Sequence, residues 1–325
     1  MPEMIIREAI AHGLREALDG DEDVFMMGED IGAYDGAYAV TRGFLERYGP
    51  ERIRDTPISE SGFVGAAIGS SLVGMRPVVE IMTINFSLLA MDQIINHAAK
   101  LRYMSNGQLK VPMLIRTVTG GGAQLAATHS QSFEGWYASV PGLKVAVPST
   151  PYDALGLIRS SLKDDNPIIY AEHALIYGYR GEVPEEYYEV PFGKAKVRRE
   201  GSDITIIGYS RMAHIAMQAA DKLAERGRQA EVIDLRTLRP LDIETIAESV
   251  RKTNRAVVVE EAWQTGGFAG EVASAIHEEA FDYLDGPVVR VGGIDVPAPY
   301  SGQLEAATIP DADRVVSEIS RTFGI

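Results

Sequence analysis

Three features of the sequence predict an α/β protein with two parallel-sheet domains. Strand-like and helix-like patterns alternate along the chain, the strand-like stretches are short and almost wholly apolar, and one stretch without periodicity divides the alternation in two. At 325 residues the chain exceeds one ordinary core and suits two domains. In the first half, Met4–Leu18 predicts an amphipathic helix and Val24–Gly28 a buried strand. Arg52–Asp55 predicts a short strand, Gly62–Val73 a helix, Pro77–Met82 a strand and Leu88–Met104 a long helix. Val111–Thr117 and Lys144–Val147 predict strands, Asp153–Leu162 a helix and Pro167–Glu172 a strand.

Residues 178–199 break this pattern with Gly178, Gly181, Pro184, Pro191 and Gly193, and they predict a linker. The expected division is a first domain over 1–180, a linker over 181–200 and a second domain over 201–325. Within the second, Ile204–Tyr209, Ala230–Asp234 and Ala256–Glu260 predict strands. Met212–Arg226, Ile243–Thr253 and Gly270–Ala280 predict the helices between and after them.

Composition narrows the class. With 46% hydrophobic and 24% charged residues the chain reads as globular throughout, and its apolar runs fall short of a membrane span. The N-terminal residues form neither a signal peptide nor an Arg-rich transit peptide, so a soluble intracellular protein is expected, cytoplasmic or in mature form in an organellar matrix. The absence of cysteine excludes disulfides, thiolate catalysis and Cys-ligated zinc. A net charge of −15, from 46 acidic against 31 basic side chains, argues against nucleic acid and leaves room for a basic protein partner.

No G-x-G-x-x-G follows a strand and no G-x-x-x-x-G-K-[ST] occurs, so the usual nucleotide fingerprints are missing. Glu60, in Asp55-Thr-Pro-Ile-Ser-Glu60-Ser-Gly, stands where a short strand gives way to a helix rich in glycine. A capping box would place Glu three positions after its cap, so capping by Ser59 does not account for it. The helix N-terminus favours the ionised form by ~0.3–1 kcal/mol while an apolar setting opposes it. That balance suits a carboxylate that shares a proton with a ligand nitrogen. Glu29 and Asp30 close the first strand, either as a solvated turn or beside Glu60 in one crevice at the carboxyl ends of the strands.

Glycines 62, 65 and 69 share one helix face, for close packing within the chain or against a ligand or partner. Gly120-Gly-Gly-Ala123 reads as a tight or mobile loop. His129 follows it among Ser and Gln, and is a candidate proton donor or acceptor near pH 7. None of the six histidines shows metal-site spacing. Phe86 is either a core aromatic or a stacking wall for an aromatic ligand, and Asp164-Asp-Asn166-Pro167 is first a turn whose oxygens also suit a hard cation.

Together these stretches resemble the beta subunit of the thiamine-diphosphate-dependent 2-oxo acid dehydrogenase component. The resemblance runs in order from Gly28-Glu-Asp30 and Tyr34-Asp-Gly-Ala-Tyr38 through Asp55–Glu60, Glu80–Phe86 and Asp92-Gln93. It continues through His129-Ser-Gln131, Pro141–Val145, Asp164–Pro167, Asp234–Pro240 and Val259-Glu-Glu261. It implies a transketolase-like pyrimidine-binding domain followed by a transketolase C-terminal-like domain. Glu60 then hydrogen-bonds the pyrimidine ring nitrogen of the cofactor, which allows the thiazolium C2 to lose its proton. Phe86, with Met82 and Ile58, packs on the pyrimidine, and Glu29 is an acidic residue lying between two active sites.

By the same resemblance His129 meets the reacting acyl group and assists its transfer to lipoamide. A potassium ion is held by Asp164 and Asn166 with carbonyls near Met113, Ser161 and Leu162. The family holds the cofactor's diphosphate through a divalent ion on a Gly-Asp-Gly motif, which this sequence lacks. The resemblance therefore implies an alpha subunit that carries the diphosphate and magnesium, an α2β2 heterotetramer, and a dihydrolipoyl acyltransferase as further partner.

Met82-Thr-Ile-Asn-Phe86 is closer to the pyruvate branch of this family than to the branched-chain one, and Arg102–Gly107 also resembles acetoin-cleaving members. A self-sufficient transketolase-like enzyme would need the missing motif in this chain. A non-catalytic scaffold subunit would need neither Glu60 nor His129.

Overall fold

The computed structural model describes residues 2–325 and divides them into two compact units. The first comprises the chain up to Thr119 together with Trp136–Phe192, and the second comprises Gly120–Gly135 with Gly193–Ile325. This grouping differs from the expected bounds of 1–180 and 201–325 in two places: residues 120–135 group with the second unit, and residues 181–192 with the first.

In the first unit, strand β1 (Glu3–Ile5) leads into helix α1 (Ile6–Gly20), followed by β2 (Val24–Gly28), α2 (Phe44–Tyr48), β3 (Ile53–Asp55), α3 (Glu60–Ser71) and β4 (Arg76–Ile81). The chain continues through α4 (Ala99–Met104), β5 (Leu114–Thr119), α5 (Glu134–Ala138, its first two residues grouped with the second unit), β6 (Lys144–Ala146), α6 (Pro151–Lys163), β7 (Ile168–His173) and β8 (Arg180–Glu182). Six of these strands pair in parallel in the order β6-β7-β5-β4-β2-β3. All six residues of β5 and of β7 are buried, as expected of a parallel sheet covered on both faces. Helix α1 buries Ile6, Ile10, Leu14 and Leu18 along one stripe. Gly13 lets it close on α6, since a Cβ there would lie 2.7 Å from Ile158 Cγ2.

The first part of the expected linker belongs to this unit. Residues 180–182 pair antiparallel with β1, and Val183 and Val190 enter the same core. Turn-forming glycine and proline mark where the backbone bends, and they coexist here with buried valines. The helix expected over 88–104 is helical throughout but uneven: a 3-10 turn spans Phe86–Ala90, and a π turn over Gln93–Ala98 runs directly into α4. Gly142 packs its backbone against the Ala99 carbonyl with no room for a side chain. Strand β5 starts three residues later than expected, because Pro112 has no N–H for the ladder.

The second unit holds β9 (Lys196–Arg199), β10 (Ile204–Gly208), α7 (Arg211–Ala224), β11 (Ala230–Asp234), β12 (Thr237–Arg239), α8 (Ile243–Thr253) and β13 (Ala256–Trp263). It closes with α9 (Ala269–Ala280), β14 (Val289–Gly293), α10 (Gly302–Thr308) and α11 (Ala312–Phe323). Its sheet runs β14-β13-β10-β11-β9, parallel except for β9, which takes up the rest of the expected linker. Strands β10, β11 and β13 bury Ile204, Ile206, Val232, Val257 and Val259 against Ala216, Ala220 and Leu223 of α7 and Val315 and Ile319 of α11.

Candidate functional site

Sheet register gathers one group of candidates at a single edge of the first unit. Gly28, the last residue of β2, pairs with Asp55 at the end of β3 and with Glu80 near the end of β4. The segments carrying Glu29, Ile58, Glu60, Met82 and Phe86 therefore all leave the sheet at the carboxyl edge of neighbouring strands, where open α/β sheets bind ligands. Gly28 is required there because a Cβ would lie 2.5 Å from the Glu80 carbonyl oxygen. The Asp55 carboxylate then fixes the following loop, accepting hydrogen bonds from the N–H groups of Gly32 (2.6 Å) and Ala33 (2.8 Å).

Glu60 opens α3 and is 3% exposed, and Ser59 ahead of it makes no side-chain cap bond. Glu29 is 8% exposed, and its buried Oε1 has no hydrogen-bond partner among the described residues. Burial, then the charges of Glu60 and Asp30, push the Glu29 carboxyl above its usual range. Ile58 is 84% exposed, while Met82 and Phe86 are half-buried. The Phe86 turn is fixed from behind: Ile84 N–H donates to the Val118 carbonyl at 2.7 Å, and the Ser87 hydroxyl meets both the Ile84 carbonyl and the Tyr137 hydroxyl. A buried carboxylate beside an apolar wall can hold a proton against a heteroaromatic ring.

The five candidate cation ligands lie at the opposite, amino edge of this sheet, before β5 and β7. The carbonyls of Leu162 and Asp164 converge on the Arg76 guanidinium at 3.1 and 3.0 Å. The Asp164 carboxylate meets Lys144 and accepts from Asn166 N–H and Nδ2, while Asn166 Oδ1 accepts from Arg102 at 2.7 Å. Burial would raise the Asp164 pKa, but the Lys144 and Asn166 hydrogen bonds outweigh it and hold the group below its usual range. The Met113 carbonyl accepts from Ile168 N–H and the Ser161 carbonyl from Asp164 N–H. Arg76, Arg102 and Lys144 thus take up several of the oxygens at this edge.

His129 belongs to the second unit. It lies exposed on a loop closed by the Gly120 N–H donating to the Gln131 carbonyl, with its Nδ1 2.9 Å from the Thr128 hydroxyl. The loop takes positive φ at every second residue: Gly120 at 88°, Gly122 at 91°, Gln124 at 59° and Ala126 at 63°. Such alternation turns backbone N–H groups inward and makes a cradle for an anion. Carboxylates of the same unit fill it. Gly121 N–H donates to Glu261 at 2.6 Å, and Gly122 and Gln124 N–H donate to the two oxygens of Glu305 at 3.0 and 2.8 Å. Holding Gln124 and Ala126 left-handed costs about 1–2 kcal/mol each, which these bonds offset.

Sequence reasoning placed a tight loop at 120–123 but missed Glu305, and it quoted Glu261 only within a motif. Adjacent glycines were the one available signal, since the left-handed Gln124 and Ala126 carry none.

Two family models match the chain: the transketolase pyrimidine binding domain over residues 3–178 and the transketolase C-terminal domain over residues 193–315. A pyruvate dehydrogenase E1 component subunit beta-2, mitochondrial, from Oryza sativa subsp. japonica is 49% identical over 98% of this chain and 86% of its own length. The corresponding E1 component subunit beta of Rickettsia felis is 46% identical over 98% of both chains. The chain belongs to the family of pyruvate dehydrogenase E1 component beta subunits. The family is thiamine-diphosphate-dependent and transketolase-like in fold.

A solved split-gene transketolase, described as an inactive beta4 tetramer, superposes with a TM-score of 0.79 at 25% identity, covering 99% of this chain and 98% of that one. A Campylobacter jejuni transketolase shares the fold, with a TM-score of 0.72 at 13% identity over 98% of this chain and 47% of that one. Among the described residues no helix is long and apolar enough to cross a membrane.

Proposed function

We propose that this chain is the beta subunit of a pyruvate dehydrogenase component, acting in oxidative decarboxylation of pyruvate and in transfer of the acetyl group to a lipoyl domain. The observation that carries this reading is Glu60: a buried carboxylate at the first turn of α3, inside a matched pyrimidine-binding domain, whose charge helps to raise the pKa of a second buried carboxylate, Glu29. Thiamine diphosphate, when bound, supplies the electron sink that lets the bond to the departing carboxylate break.

The residues of the carboxyl edge fit its aminopyrimidine half. Glu60 holds a proton at the pyrimidine ring nitrogen, and Ile58, Met82 and Phe86 form the apolar wall that orients the ring and excludes water. Glu29, with an oxygen lacking a partner among the described residues, is available to share a proton with Glu60 through the site. His129 holds or moves a proton where the acyl group meets the lipoyl sulfur. The pyruvate preference rests on the names of the relatives and on Phe86.

An alpha subunit supplies the diphosphate and magnesium half, since this sequence contains no Gly-Asp-Gly. The two chains then form an α2β2 heterotetramer whose acidic surface suits a basic domain of the dihydrolipoyl acyltransferase. The amino edge around Asp164 and Asn166, with the carbonyls of Met113, Ser161 and Leu162, holds potassium as a structural ion. The gathering of all five residues at one edge of the sheet supports this reading.

The test is Glu60→Gln in the enzyme reconstituted with its alpha partner. An interaction contributing ~4 kcal/mol in the transition state predicts about a 10³-fold loss of turnover. Retention of more than about a tenth of the activity would remove Glu60 from this role.

A further inference from the structure

We infer that Glu305 is a positioning residue for His129, acting through the backbone of the loop that carries it. Glu305 sits on α10, is 1% exposed, and directs both carboxylate oxygens at loop N–H groups, those of Gly122 and Gln124. These two bonds engage the half of the loop in which left-handed residues alternate. The other half follows from them: Gly120 N–H is tied to Gln131, and His129 N–H donates to the Ala126 carbonyl.

Helix α10 approaches Gln124 closely enough that a Cβ on Gly302 would lie 2.9 Å from the Gln124 side chain. Glu261, itself paired with Arg211 at 3.3 Å, adds a third anchor at Gly121. Three backbone donors in consecutive turns, each on a carboxylate, leave the loop one arrangement. Removing Glu305 takes the partner from two N–H groups and releases the left-handed Gln124, so the loop relaxes and the imidazole loses its fixed place.

This inference rests on the reading of His129 as the group that assists acyl transfer. Its test uses the reconstituted complex with a lipoyl domain and compares Glu305→Ala, Glu305→Gln and His129→Ala. Two activities are read: acetyl transfer to the lipoyl domain, and pyruvate decarboxylation coupled to an artificial dye that bypasses lipoamide. Misplacement of a positioned group predicts a fall of about 10²-fold in acetyl transfer for Glu305→Ala, with dye-coupled decarboxylation held within about threefold.

Hydrogen exchange at Gly122 and Gln124 should accelerate in the same variant. Glu305→Gln keeps one acceptor oxygen and the side-chain shape but sets an NH2 against the other N–H, so its transfer should fall between that of the wild type and that of Glu305→Ala. Adding Glu305→Ala to His129→Ala should cost nothing further. Equal loss of both activities, or unchanged exchange at the two amides, would overturn the inference. Loss of transfer in His129→Ala with none in either Glu305 variant would overturn it alone, whereas full transfer by His129→Ala would remove the reading beneath it.

Discussion

Glu260 is a buried acid whose ionisation links stability to pH. It is 1% exposed on β13, where it accepts from the N–H groups that open α9, and Gly267 leaves no room for a side chain against it. Burial pushes its carboxyl up from 4.5 to about 7; the Ala269 N–H opposes the shift, the charge of Glu134 adds to it, and the Phe268 N–H and Arg290 oppose it. Tyr209 stands between the two acids, its hydroxyl 3.2 Å from Glu134 and 3.5 Å from Glu260.

Because the folded-state pKa lies above the ordinary value, the proton is bound more tightly in the folded chain. The stabilisation is complete below pH ~4.5 and is lost as pH rises through about 7. A shift from 4.5 to about 7 corresponds to about 3 kcal/mol. Glu260→Gln keeps an acceptor for the helix N–H groups and removes the charge. Its unfolding midpoint should match that of the wild type near pH 4.5 and exceed it at pH 8. Equal differences at both pH values would show that Glu260 is not the titrating group.

At the scale of elements, helix α3 exposes a face that its own chain does not explain. A Cβ on Gly62 would meet only the Ser59 side chain, one on Gly65 the Gln93 side chain at 3.3 Å, and one on Gly69 nothing within 4 Å. Packing within the first unit therefore does not require glycine at 69. Gly69→Ala should stabilise the isolated chain by about 0.5–1 kcal/mol, and under the proposed heterotetramer it should weaken assembly. Thermal unfolding of the chain alone and sedimentation with the alpha partner read the two effects separately. Unchanged assembly would mean that this face meets no partner.

The same helix illustrates what the sequence makes legible. Its glycine spacing, and the apolar runs of β2, β4, β7 and β10, follow from local periodicity and stand where the pattern puts them. The π turn at Gln93–Ala98 does not, because nothing in its local periodicity distinguishes it from an ordinary helical turn. The same is true of the loop at 120–135: its attachment depends on Glu261 and Glu305, more than a hundred residues later. Glu60 was legible because one carboxylate without a local reason stands out in an apolar setting, and Glu305 was not because its reason is a distant backbone.

For the whole molecule, the two ligands proposed for it demand opposite behaviour of the isolated chain. Every proposed potassium ligand comes from one edge of the first unit's own sheet. The chain alone should therefore take up the ion. At a potassium concentration tenfold above its dissociation constant the stabilisation is about 1.4 kcal/mol, visible as a higher unfolding midpoint in potassium chloride than in choline chloride.

Thiamine diphosphate differs, because this chain provides a proton-holding carboxylate and an apolar wall, while the charged half of the cofactor needs the alpha partner. The isolated chain should bind it at least about 10²-fold more weakly than the reconstituted enzyme with magnesium, a difference of about 2.8 kcal/mol. Calorimetric titration measures both. Tight stoichiometric uptake of thiamine diphosphate by the chain alone would refute the divided site, and indifference to potassium would remove the ion from Asp164 and Asn166. If both expectations hold, Glu60 works only in company: its carboxylate is set by this chain's sheet edge, and its cofactor is held by another chain.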